Sequence, residues 1–133
     1  MLFYKSKYTE IHYHEEDKLV ETVWLGFASS SDYRQSLAAY VEVIRAQEVE
    51  RWLGDYREAR VVRLADQAWA VKEWAPVFMP LASNLKKMAK VNAKDLFNQV
   101  SSTNMKQQLD VTRLPFPFQE FDDYDEARAW VLS

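Results

Sequence analysis

The stretch Leu19-Val20-Glu21-Thr22-Val23-Trp24-Leu25-Gly26-Phe27, followed by Ser29-Ser30-Ser31-Asp32-Tyr33, decides the fold. Its first half is rich in β-branched and aromatic residues and reads as a strand. After the three serines the period changes. Tyr33, Leu37, Tyr40, Val41 and Ile44 recur at helical spacing and place one apolar stripe on a single face. A serine of the run can accept the free N–H groups of the first turn, and Asp32 stands near the positive end of the helix dipole. Arg34, Gln35, Glu42 and Arg45 occupy the opposite face. A strand that passes directly into an amphipathic helix of this kind packs that helix on a sheet.

Upstream, Tyr8 to His14 is β-rich and Glu15-Glu16-Asp17-Lys18 is a polar turn, so the two runs predict an antiparallel hairpin, with Leu2 to Tyr4 as a short edge strand. Downstream, Val49 to Gly54 reads as a strand returning to the sheet, and a strand–helix–strand order implies a parallel, right-handed crossover. Asp66 is placed to cap a second helix carrying Trp69, Val71 and Trp74. Pro76 is expected to end or kink that helix, and Pro80 to open a further short turn. Lys87 to Val91 alternates as a strand. Asn92 and Asp95 resemble a capping box before a helix whose apolar face would be Leu96, Phe97 and Val100. Phe116 to Phe121 is the last strand. Asp123 with Glu126 opens a terminal helix that turns Ala127, Trp130 and Val131 inward. The expectation is one α/β domain over residues 1–133, with a mixed sheet of about five strands and about four helices.

Composition narrows the function classes. At 133 residues the chain suits one core, and 48% apolar with 14% aromatic residues excludes a disordered tail. A net charge of −3 without a concentrated basic face argues against nucleic acid as a partner. There is no cysteine, which removes disulfides, thiolate metal sites and a Cys nucleophile, and fits a reducing, cytoplasmic setting. No run approaches the roughly 20 apolar residues that span a bilayer, so no membrane association is expected. Two glycines cannot build a phosphate-cradling loop, and no Ser/His/Asp order is present.

The candidate residues each carry a chemical and a plain reading. His12, His14 and Glu16 alternate and could face one way, as weak metal ligands or as a solvated hairpin; no metal or other cofactor is expected. Asp55 follows a parallel strand, where open α/β sheets bind ligands, and could act as an acid, base or phosphoacceptor, or pair locally with Arg57 or Arg60. Arg51, Arg57, Arg60 and Arg63 could recognise an anion, or form surface pairs with Glu50, Asp55 and Glu58. Trp69, Trp74, Phe78 and Met79 could line a pocket or an interface, or belong to the core.

Ser30-Ser31-Asp32-Tyr33-Arg34, Arg51-Trp52-Leu53-Gly54-Asp55, Asp66-Gln67-Ala68-Trp69 and Asp125-Glu126-Ala127-Arg128-Ala129-Trp130-Val131 together resemble the SpoIIAA-like, STAS-type small bacterial proteins common among Bacteroidetes. The resemblance implies a mixed sheet with helices. It also implies a non-catalytic regulatory role through another protein or a second copy of the chain, with nucleotide or apolar-ligand binding in some relatives. In the branch that is switched by phosphorylation, a Ser or Thr beside an Asp accepts phosphate; here no Ser or Thr lies between Trp52 and Asp66, so that switch does not carry over. Lys90 also departs from the pattern, since an apolar residue is expected there. Two functions follow: a regulatory or protein-interaction domain, or a module that binds an apolar or anionic small molecule.

Overall fold

The computed structural model describes residues 1–109 and 114–133. Alternating burial in Thr9–His14 (β2) and Leu19–Gly26 (β3) pairs them as the hairpin, with Leu2–Lys5 (β1) on the outer edge of β2. Gly26 ends β3 at φ 72°, a left-handed conformation that a side chain would strain. The serine run then starts Ser30–Ala46 (α1), and the cap is Ser29, whose hydroxyl accepts from the Asp32 N–H at 3.2 Å. The chain returns as Arg51–Ala59 (β4), parallel to β3.

β4 is longer than the Val49 to Gly54 strand expected from the sequence. Its second half pairs with β3 (Leu25 with Glu58, Gly26 with Ala59) beyond the last residue paired with the next strand. A segment bordered on one side only can carry Arg57 and Glu58 and still belong to the sheet, which is why its polarity hid it.

Leu64–Trp69 (α2), a π-helical turn over Ala70–Trp74, and Ala75–Leu81 (α3) follow one another without a break. Pro76 does not end the helix. The Ala75 N–H reaches back five residues to the Ala70 carbonyl, and the widened turn takes in the proline, which sits in the first turn of α3. Pro80 lies inside α3 rather than opening a turn of its own. Nor does Asp66 cap α2: Arg63 holds the cap position without a side-chain bond, and Asp66 is inside the first turn.

Lys87–Val91 (β5), Leu96–Gln108 (α4), Phe118–Phe121 (β6) and Tyr124–Leu132 (α5) complete the chain. Asp95 itself caps α4, its carboxylate accepting from the Phe97 N–H, and Asp123 caps α5 by accepting from Glu126 N–H at 2.9 Å. Among the described residues, six strands lie in one sheet in the order β1-β2-β3-β4-β5-β6, antiparallel through β3 and parallel from β3 to β6. This is a mixed α/β sheet with one strand more than the count of five.

Alternation along the strands sorts the side chains into two cores. Leu53, Ala89 and Val91 face α5 and meet Ala127 and Val131. Trp24, Trp52 and Tyr56 face the other way, towards α1 and α2–α3, where Tyr33, Leu37, Tyr40, Val43 and Phe78 complete the larger core. The described residues contain no helix long and apolar enough to cross a membrane.

Candidate functional site: a half-filled aromatic layer

The face of the sheet under α1 carries a run of aromatic rings. At one end they are packed shut: Trp74 stacks on Phe78 at 4.6 Å, Phe78 meets Trp52 edge-on at 5.3 Å, and Tyr40 touches all three. Phe78 is 1% exposed. Two of the polar tips in this layer are hydrogen-bonded, Trp74 Nε1 donating to the Leu37 carbonyl and Trp24 Nε1 to the Tyr40 hydroxyl at 2.7 Å.

Towards the C-terminal ends of the parallel strands the same layer opens into a cavity of about 210 Å³. Trp24, Tyr33, Leu37, Tyr40, Tyr56 and Trp74 form much of its wall. Tyr56 fits there because residue 54 is glycine: a Cβ at Gly54 would meet the Tyr56 ring at 2.8 Å. α4 roofs the cavity in an unusual way. It turns Asn98 and Ser101 inward, Asn98 Nδ2 donating to the Arg60 carbonyl and Ser101 Oγ accepting from the Val62 N–H at 3.1 Å. The expected apolar face of α4 is corrected by this placement. Leu96 and Phe97 are 71% exposed and Val100 58%, because backbone groups of the Arg60–Val62 segment need partners and the polar stripe supplies them.

Three strand positions on this face line up across the parallel sheet: Gly54 on β4, Lys90 on β5 and Glu120 on β6. Lys90 lies over the Tyr56 ring, its Nζ 5.0 Å from the centroid, and lines the cavity. Among the described residues it has no ion-pair or hydrogen-bond partner, because Glu120 is taken by Lys106 at 2.8 Å. Burial penalises the ammonium and brings Lys90 down to about 8, with Glu120 opposing that shift and Lys106 adding to it. A second, polar recess of about 180 Å³ adjoins; Lys90, Ser102 and Lys106 border both spaces, and Gln99, Thr103 and Asn92 line the recess.

The residues singled out from the sequence scatter around this cavity. Trp74 lines it, Phe78 is in the closed core, and Met79 packs against that core. Trp69 is half-buried beneath the Arg34 guanidinium, 5.1 Å from its ring. Asp55 is buried and held by its own neighbour, Arg57 binding both carboxylate oxygens at 3.0 and 2.8 Å. His12 bonds Glu10 at 2.9 Å and His14 approaches Glu21 at 3.4 Å, while Glu16 is exposed in the turn; no group of three metal-binding side chains forms among the described residues. Asp66, expected as a cap, instead joins two helices: 1% exposed, it accepts from the Ser30 hydroxyl at 2.8 Å and from Arg34 Nε at 3.2 Å.

Sequence reasoning missed Tyr56, Tyr33 and Trp24 as cavity walls and the role of α4. Two signals were present: a lysine at an inward strand position, and the spacing of Asn98, Ser101 and Ser102, a polar stripe where an apolar one belongs.

Fold and site together define a mixed α/β sheet protein of SpoIIAA-like fold. The likeness is to the structure of an uncharacterised protein from the DUF3478 family, with a SpoIIAA-like fold, from Shewanella loihica PV-4: TM-score 0.58 over 96% of this chain and 98% of that one, at 17% identity. No family model matches the chain. No curated protein matches it either.

Proposed function

We propose that the domain is a non-catalytic module that binds a small molecule in the cavity beneath α4. The observation that carries this reading is the contrast within one aromatic layer, sealed around Phe78 and hollow around Tyr56. An apolar cavity of about 150 Å³ admits a benzene ring. A space of about 210 Å³ suits a ring with a short chain. The non-catalytic side of the reading is supported by Asp55, whose carboxylate oxygens are both engaged by Arg57, leaving no free base at the strand end. The lack of a Ser or Thr from Trp52 to Asp66 supports a STAS-type domain that works without phosphorylation. A cytoplasmic site of action fits the cysteine-free sequence.

Titrating the protein with phenylpropanol, followed by calorimetry and by tryptophan fluorescence, tests the reading. Saturable one-to-one binding is expected, lost in a Val62→Phe variant that fills the space and still melts cooperatively. No binding of this neutral probe, or binding that Val62→Phe leaves intact, rules the cavity out.

A second reading, interaction with another protein or a second copy, is favoured by the exposed Leu96, Phe97 and Val100 on α4. Light scattering over a concentration series tests it: association that Phe97→Ser abolishes supports an interface, and a monomer at every concentration removes self-association.

A further inference from the structure

We propose, resting on the ligand-binding reading above, that the molecule held beneath α4 is a small amphiphilic acid: its apolar body fills the aromatic cavity and its carboxylate sits on Lys90 Nζ. The argument is one of charge and place. Lys90 borders both the apolar cavity and the polar recess, so a ligand lying along the cavity brings its head group there. A half-buried ammonium without a counter-charge is costly, and that cost falls when an anion arrives.

The groups facing Lys90 among the described residues leave that vacancy in place. Tyr56 from β4 offers its ring face. Lys106 from α4 and Glu120 from β6 neutralise one another. Asp122, further out in the recess, is exposed and accepts from Asn92 Nδ2 at 3.1 Å. One uncompensated positive charge matches one carboxylate. Ser102, Gln99 and Thr103 supply hydrogen-bonding side chains for the oxygen that does not face Nζ.

Phenylpropionate and phenylpropanol, which share a body and differ in the head, make the test. At pH 7 the acid is expected to bind about tenfold tighter than the alcohol. Lys90→Met should weaken the acid by about tenfold or more and leave the alcohol unchanged, while Lys90→Arg keeps most of the preference for the acid. Between pH 7 and 9.5 the acid should lose about tenfold in affinity as Lys90 gives up its proton, and the alcohol should not. Equal binding of acid and alcohol overturns the inference and leaves the cavity reading standing. So does a preference for acid that survives Lys90→Met, which would point to Arg60 or Arg63, also in the cavity lining. Failure of both probes to bind overturns the inference together with the reading beneath it.

Discussion

Two ends of one aromatic layer, built from the same residue types on neighbouring strands, have opposite fates. Around Trp52 and Phe78 the rings touch, and α3 presses Phe78 and Ala75 down with apolar atoms. Around Trp24 and Tyr56 the rings stack at 6.5 Å, and the helix above is tied down through side chain-to-backbone hydrogen bonds instead. A helix held by directed polar bonds can stand off the sheet without losing its attachment. One held chiefly by dispersion must come into contact to gain anything. The difference lies in the roof, not in the rings.

The sharpest way to break the comparison is to hollow the closed end. Phe78→Ala should cost about 3–5 kcal/mol in urea unfolding, since the site is packed on every side. A loss under about 1 kcal/mol would mean that the end taken as closed is not. Asp66 ties the first turn of α2 to α1, and Asp66→Ala should cost about 1–3 kcal/mol by stripping Ser30 and Arg34 of their acceptor. Urea unfolding reads this loss directly, whereas ligand affinity does not isolate it, because Asp66 also lines the cavity.

At the open end the expected effect is a pH dependence. The folded pKa of Lys90, about 8, lies below the ordinary lysine value of 10.5, so between these values the unfolded chain binds more protons and stability rises with pH. Below about pH 8 both states carry the charge and the penalty is constant. Relative to Lys90→Met, the wild type should therefore gain stability from pH 8 to 10; a flat difference in denaturation midpoints across that range would show that Lys90 is well solvated. The smallest effect is expected outside. Phe97→Ser should change stability by no more than about 0.5 kcal/mol, because the ring is already in water. A larger loss would show that the outer face of α4 is covered in solution.

Amide exchange sharpens the same contrast. α4 buries few apolar side chains and should exchange faster than α1 and α3, and binding of phenylpropanol should slow it.

Much of the architecture was legible in order. Where a segment buries one face, the period is imposed by that face, so the hairpin, α1, β5 and α5 could be read residue by residue. Reading failed where partners distant in sequence decided the outcome. Pro76 was expected to end or kink a helix, and a π turn takes it in without a break; Asp66 looks like a cap, yet Ser30 and Arg34 from α1 draw it inside. Leu96, Phe97 and Val100 have the spacing of a buried face and point outward, because the Arg60–Val62 backbone beneath α4 demanded hydrogen-bonding side chains. Among the candidate residues, the Trp69–Met79 segment was expected to be pocket, interface or core; Trp74 borders the cavity, while Phe78 is closed in the core.

By itself, then, the sequence determined the order of strands and helices and the mixed sheet, since both follow from local pattern. It also marked Lys90 as out of place. Only the tertiary structure decided that the aromatic layer is filled at one end and hollow at the other, and that Lys90 borders the hollow. A cavity is the failure of two surfaces to meet, and no single segment carries the distance between them.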